Sequence, residues 1–380
     1  MKKLLFISVP FFSLSRKFLG YHNICCFVKT QLSFLVSVFL LLFVSCNEVE
    51  TLVLSEYVNI EVEGDNLRCN IQYIGDENYL TLDSSRTSVI IWNSISKESK
   101  RVFISRAVIN HFGSRDGYVF TCSDSIYHRY NIAKDELVAF PYSSIFSIDD
   151  EDFYSVDFND NSSVVAIDSS RILTRIYSLK QDAQTAKFYE KPTLAVLNLQ
   201  KNSYEVISIS YPEEFLKNRY GALNKIFFGL GSNQFFSCDQ ISGKVVSISA
   251  DYKEKKGYDL HDSRLIPASL DSISNTDMNI IFDHIEKSSY VQLFMFNNFN
   301  QRYYRVLKLD DSYSEAESDL GSKPYSVLQE FSKDFELLAE IVLPQEYNIY
   351  RITTNETGVL INVPSKNKNG YVYRNIKSSN

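Results

Sequence analysis

The sequence predicts an all-β fold, a six-bladed β-propeller of antiparallel four-stranded blades, and three observations predict it. Apolar strand, short polar turn and second strand recur along most of the chain. With 27 Phe and 25 Tyr, many Ile and Val and few Ala, the composition favours strand over helix. Residues 46–380 divide into six units at about 40–50 residues per blade, with room for insertions.

The hairpins can be read in chain order. Val89–Asn93 turns through Ser96–Ser99 into Arg101–Ile104. Ser125–Tyr130 turns through Ala133–Asp135 into Leu137–Phe140, and Leu194–Leu199 turns at Lys201-Asn202-Ser203 into Val206–Ile209. Phe235–Cys238 turns through Ser242-Gly243 into Val245–Ile248. Tyr290–Phe296 is followed by Tyr303–Leu309, Tyr325–Phe331 by Leu337–Leu343, and Val359–Val363 by Tyr371–Ile376. Spacing and turn chemistry make each pair a hairpin. One hairpin cannot bury both faces, so repetition on this scale implies stacked units. A large β-sandwich shows similar hairpins; their number and the lack of a dividing linker favour the propeller. Tyr371–Ile376 is the candidate to close the ring against an N-terminal strand.

With only 13 Gly, the turns must rely on Asn, Asp, Ser and Lys. Pro212, Glu213 and Glu214, followed by Lys217, Arg219 and Gly221, predict one short helix with charges suited to its dipole. Lys180–Phe188 reads as a second helix or a long loop. The polar stretch Asp251–Thr276 reads as an insertion between blades.

The first 45 residues read as a leader. Lys2, Lys3, Arg16, Lys17 and Lys29 precede an apolar run, Leu32–Val44, and no acidic residue occurs before Glu48. A basic segment, an apolar core and a small residue before the cut make a secretory signal. The run is shorter than the roughly 20 apolar residues a spanning helix needs. Its long basic region, with Cys25 and Cys26, carries no structural weight, and the expected start lies further along, near Phe27. The ending Phe43-Val44-Ser45-Cys46-Asn47 resembles the lipobox of bacterial lipoproteins. That resemblance implies acylation of Cys46, which becomes the new N-terminus and binds the lipid bilayer. Expected boundaries are a signal peptide at 1–45, a lipidated N-terminus and short tether at 46–58, and the propeller at 59–380. Position 47 is Asn, not the Asp that often retains such proteins at the inner membrane. The expected location is therefore the outer membrane, on its periplasmic face or at the cell surface.

A net charge of −7 argues against a nucleic-acid partner, which demands a basic face. With Cys46 acylated, Cys69, Cys122 and Cys238 remain. They are too few for a disulfide framework and too scattered for a zinc site. Buried free thiols are the expectation, with one bridge left open.

Tyr290–Phe296 followed by Asn300-Gln301-Arg302-Tyr303-Tyr304-Arg305 resembles a strand–loop–Tyr-Tyr-Arg motif of TolB-like six-bladed propeller lipoproteins of unknown function. Gly221–Ile248, with its Ser-Gly-Lys turn, and Tyr325–Leu343 are similar to the same group. Phe296-Asn297-Asn298 departs from its pattern, which often has Asp before the loop. The resemblance implies a fold and an envelope location, and no activity.

No Gly-x-Ser-x-Gly, His-Glu-x-x-His or phosphate-cradling glycine loop occurs, and no cofactor is predicted. Gly229-Leu230-Gly231 reads as a strand-end turn. His111 and His128 sit beside predicted strands. His261-Asp262 and Asp283-His284 are adjacent pairs, but neighbours on a strand face opposite sides, so solvated or satisfied imidazoles are expected. Asp149-Asp150-Glu151-Asp152, with Asp157, Asn159, Asn161 and Asp168, has the alternating oxygens of a calcium loop. Ser162 stands where that loop needs Gly, and Asp168 where it needs Glu, so a solvated acidic loop is the better reading. Tyr303, Tyr304 and Arg305 alternate faces on a strand, placing one tyrosine between blades. The expected function is a membrane-anchored binding or scaffold module for a protein or glycan. The alternative is a metal-assisted hydrolase with carboxylates converging in the channel.

Overall fold

A computed structural model describes residues 50–60, 71–123, 125–146, 154–156, 164–178, 186–217, 223–232, 234–266, 283–309, 326–363 and 371–378. Strand β1, Glu50–Ile60, is set apart from the others by its position in the ring. Blade 1 holds β2 Gln72–Gly75, β3 Asn78–Leu82, β4 Ser88–Asn93 and β5 Ser99–Phe103. Blade 2 holds β6 His111–Arg115, β7 Tyr118–Cys122, β8 Ile126–Asn131 and β9 Glu136–Pro141. In blade 3 two short strands, β10 Tyr154–Val156 and β11 Val164–Ala166, pair with successive parts of β12 Arg171–Ser178, followed by β13 Leu194–Asn198 and β14 Ser203–Ile207. Blade 4 holds β15 Ile226–Leu230, β16 Gln234–Asp239, β17 Val245–Ser249 and β18 Lys255–Tyr258. Blade 5 holds β19 Tyr290–Asn297, β20 Arg302–Lys308, β21 Ser326–Phe331 and β22 Leu337–Leu343. Blade 6 holds β23 Asn348–Thr354, β24 Val359–Val363 and β25 Tyr371–Ser378.

The sixth blade is completed by β1, which precedes every other strand in the chain. β1 lies antiparallel against β25, from Leu52 opposite Ser378 to Ile60 opposite Tyr371. Its first residues also pair in parallel with β22, Glu50 opposite Ala339 and Thr51 opposite Glu340. This N-terminal strand thus closes blade 6 and ties it to blade 5. It begins inside the stretch that the sequence suggests is a tether, because Leu52 is a core residue and its backbone groups are used by β25.

Each junction between blades has its own apolar layer. Trp92, Tyr79 and Tyr373 fill the seam between blades 6 and 1, and Val89, Val119 and Tyr130 that between 1 and 2. Phe120, Tyr127 and Ala195 pack blade 2 on 3, and Leu194, Phe228 and Phe235 pack blade 3 on 4. Phe236, Phe294 and Tyr303 lie between blades 4 and 5, and Tyr304, Val306 and Val359 between 5 and 6. Successive residues on one strand serve opposite seams, Leu194 against Ala195 and Tyr303 against Tyr304, as strand alternation requires. The middle strands are therefore apolar on both faces, which makes them legible as continuous hydrophobic runs.

Five turns share one device. Asn93, Asn131, Asn198, Asp239 and Asn297 each end a strand and accept a backbone N–H two or three residues on. The fourth residue after each has a positive φ: Lys97, Asp135, Asn202, Gly243 and Gln301. Only one of these five is Gly, as the scarcity of glycine anticipates; the side-chain oxygen stabilises the turn that a glycine would otherwise permit.

Helix is minor among the described residues. Glu214–Lys217 realises the predicted helix, with Glu214 in its first turn, and Ala186–Tyr189 forms one turn that overlaps the end of Lys180–Phe188, the region read as helix or loop. Tyr189, Tyr211 and Phe215 bring these two pieces together. Lys255–Tyr258 corrects the reading of Asp251–Thr276 as an insertion. It is the outermost strand of blade 4, and Lys255, Lys256 and Gly257 are exposed, so the segment lacks an apolar signature. Cys122 and Cys238 are buried free thiols, while Cys69 lies outside the described residues. Among the described residues no helix is long and apolar enough to cross a membrane.

Candidate functional site

The six blades enclose a central cavity of about 770 Å³. Every blade's innermost strand contributes to the wall: β2 through Gln72, β6 through His111–Arg115, and β11 through Val164–Ala166; β15, β19 and β23 complete it. A pocket of roughly 300–1,000 Å³ suits a small ligand.

The charge of the wall is one-sided. Arg86, Arg115, Lys225 and Arg351 line the cavity, and none of its described lining residues is Asp or Glu. Arg86 is positioned by the β3–β4 turn, where its φ is 58°, and its Nη2 donates to the Asn110 carbonyl at 3.0 Å. The Ile109 N–H returns a bond to the Arg86 carbonyl at 2.7 Å, fixing this turn to the segment that leads into β6. Lys225 immediately precedes β15, and its backbone N–H donates to Gln240 Oε1. Arg115 ends β6 and lies 3.6 Å from Asp116, an exposed neighbour outside the cavity wall. Arg351 sits within β23 beside Tyr350, whose relative exposure is 62%. Gln72, Gln292, Asn110, Ser84 and Ser114 add amide and hydroxyl groups to the same wall.

The Tyr-Tyr-Arg run is structural. Tyr303 stacks on Phe335 at 4.4 Å and meets Phe236 edge-on at 5.3 Å, while Tyr304 packs at the opposite seam. Arg305 is buried. Its Nη1 donates to the Leu260 carbonyl at 2.7 Å, its Nε to Gln329 Oε1 at 2.8 Å, and its guanidinium lies over the Phe331 ring. These contacts leave neither tyrosine nor the arginine facing a ligand.

The family model described as "Domain of unknown function (DUF4221)" matches residues 104–342. The chain belongs to this family. A DUF4221 member from Bacteroides vulgatus has a crystal structure similar to this one, with a TM-score of 0.67 at 16% identity over 87% of this chain and 100% of that one. A second solved structure, a "Putative exported protein" from Bacteroides fragilis, is similar with a TM-score of 0.57 at 9% identity over 88% of this chain and 98% of that one. No curated protein matches the chain.

The remaining sequence candidates have structural places in this DUF4221 propeller. His111 opens β6 and is buried at the cavity wall; His128 is buried on β8, where loss of solvent lowers its pKa. Neither adjacent His and Asp pair forms a dyad. Asp262 binds Arg264 while His261 is exposed, and Asp283 pairs with Lys287 at 2.8 Å while His284 is buried. Gly231 donates to the Gln234 carbonyl at 2.7 Å, the strand-end turn expected of Gly229-Leu230-Gly231. Asp168 holds the turn that leads into β12. Its carboxylate accepts from the Ser170 and Arg171 N–H groups and pairs with Arg171 Nε at 2.7 Å. Asp149–Asp152, Asp157, Asn159 and Asn161 lie outside the described residues. Among the described residues no group of three His, Cys, Asp or Glu could hold a metal ion. Cys46 also lies outside them.

The cationic wall escaped the sequence reading because its members come from separate blades. The available signal was faint: Lys225 immediately precedes an unrecognised inner strand, and Arg86 stands in the turn between β3 and β4.

Proposed function

We propose that this DUF4221 propeller is an envelope lipoprotein that binds a glycan-sized ligand in its central channel. Acylated Cys46 holds it to the outer membrane, on the periplasmic face or at the cell surface. The lipobox-like ending, the resemblance to TolB-like lipoproteins and the structural likeness to the "Putative exported protein" from Bacteroides fragilis support the location. A single observation carries the binding function: a cavity of about 770 Å³ whose wall presents cations, amides and hydroxyls from separate blades. The alternative, a metal-assisted hydrolase, calls for carboxylates converging in the channel, and none of the described lining residues is one.

The test is a thermal-shift series on the purified full chain with neutral and acidic glycans and peptidoglycan fragments, repeated on Tyr350→Ala. A ligand at a hundredfold excess over its dissociation constant adds about 2.7 kcal/mol of stability. A shift present in the native chain and reduced in Tyr350→Ala supports channel binding; a flat response across the panel refutes it. Labelling with a fatty acid tests the anchor: Cys46→Ser should abolish it, and unchanged labelling refutes the lipobox.

A further inference from the structure

Resting on the channel-binding reading, we infer that the ligand is an acidic saccharide, one whose sugar units carry carboxylate or sulfate groups. The wall's charge runs against that of the whole chain. A protein of net charge −7 lines its central cavity with Arg86, Arg115, Lys225 and Arg351 and with no described Asp or Glu. The same walls focus the field and raise the local concentration of anions.

The rest of the lining narrows the anion to a sugar. Gln72 and Gln292 each carry both donors and an acceptor, and Ser114 can donate or accept. Such groups suit a ligand with many hydroxyls better than a bare inorganic anion, which only accepts. Tyr350 adds an aromatic face, with 62% relative exposure, next to Arg351. An apolar face, a few placed polar groups and a cation together give a pocket both grip and orientation. Arginine suits a carboxylate or sulfate because its planar fork matches two oxygens at once. The cavity volume of about 770 Å³ admits a short oligosaccharide.

Isothermal titration of the purified full chain with trigalacturonate, a sulfated chondroitin disaccharide, methyl-esterified trigalacturonate and sodium sulfate tests this. At least one acidic sugar should bind at least tenfold more tightly than the neutral ester, and its affinity should fall as salt rises. Arg351→Gln and Lys225→Gln should each weaken the acidic sugar about fivefold while leaving the ester unchanged. Tyr350→Ala should weaken both sugars and leave sulfate alone. Equal affinity for acid and ester, or an acidic sugar indifferent to both charge variants, overturns the inference while leaving channel binding intact. Sulfate binding as tightly as either sugar reduces the site to an adventitious anion site and also overturns it. No response to any acidic sugar overturns it as well, and neutral-glycan shifts lost in Tyr350→Ala then show whether channel binding survives.

Discussion

Arg264, in the segment after blade 4, grips Glu340 on the outermost strand of blade 5 through both terminal nitrogens, at 2.8 and 2.5 Å. The same guanidinium holds Asp262 through Nε and Nη2 at 2.9 and 2.7 Å. Gln329 donates to Asp262 and Glu340 and accepts from the buried Arg305, so three strands of blade 5 and an interblade segment share one network. Removing Arg264 leaves two carboxylates together without their main cation. Arg264→Met should destabilise the protein by about 1–3 kcal/mol, below the scale for a fully buried pair because Arg264 and Glu340 are partly exposed. The urea midpoint measures this, and a loss below about 0.5 kcal/mol would show that the network does not hold blades 4 and 5 together.

The network also sets an acid limit. Burial alone would raise the pKa of Asp262 and of Glu340, but hydrogen bonds and charge from Arg264, with help from Gln329, outweigh it and lower both. Their unfolded values are about 3.9 and 4.3. The stability they supply is complete above those values and is lost as pH falls through them toward the lower folded values. Asp239 acts oppositely: burial raises its pKa despite hydrogen bonds from Ser242, so its contribution weakens as pH rises. Stability should therefore fall between about pH 5 and pH 2, and the fall should be shallower in Arg264→Met. Identical acid slopes in the two proteins would place the acid sensitivity elsewhere.

Ring closure can be tested from either terminus. β1 and β25 are paired along most of their length, and Ser378 Oγ donates to Glu330 Oε2 at 2.6 Å, adding a tie to blade 5. Deleting Glu50–Ile60 removes the fourth strand of blade 6 and leaves the edge of β25 unpaired. Deleting Tyr371–Ser378 removes the strand to which β1 is registered. Either deletion should abolish cooperative melting in a thermal scan read by near-ultraviolet circular dichroism. A truncated chain that melts at the original temperature would show that the ring holds without this clasp.

What the sequence revealed tracks how each strand is buried. The hairpins read directly from it are β4–β5, β8–β9, β13–β14, β16–β17, β19–β20, β21–β22 and β24–β25. Most include a middle strand packed on both faces, such as Val359–Val363, every residue of which is buried. The inner strands other than β19 were silent because one side faces the channel. His111–Arg115 carries Gly, Ser and Arg, and Asn348–Thr354 mixes Ile and Tyr with Arg and Thr. The outer strand Lys255–Tyr258 was silent because solvent covers it. β3 and β7 are buried and still went unread, since Asn78–Leu82 and Tyr118–Cys122 are short and interrupted by Thr. The candidate site lies on inner strands and the turns beside them, so the pattern that betrayed the fold could not betray the site. The Asn or Asp turns were legible in composition but not in position. Their signature is an Asn or Asp closing an apolar run, with the left-handed residue four places on.

The channel wall depends on one close approach of backbone to backbone. A Cβ added at Gly113 on β6 would stand 2.6 Å from the Val164 carbonyl oxygen on β11, the neighbouring blade's inner strand. That oxygen cannot swing aside as a side chain could, so the inner strands of blades 2 and 3 must separate. Gly113→Ala should cost about 1–3 kcal/mol, the range for overpacking. Gly257 on β18 is the matched control, because nothing lies within 4 Å of its added Cβ. Gly257→Ala should change stability by no more than about 0.5 kcal/mol. Urea unfolding of both variants separates contact from a general effect of replacing glycine in a strand. If Gly113→Ala were as stable as Gly257→Ala, blades 2 and 3 could part at no cost, and the channel's width would be set by the other blades.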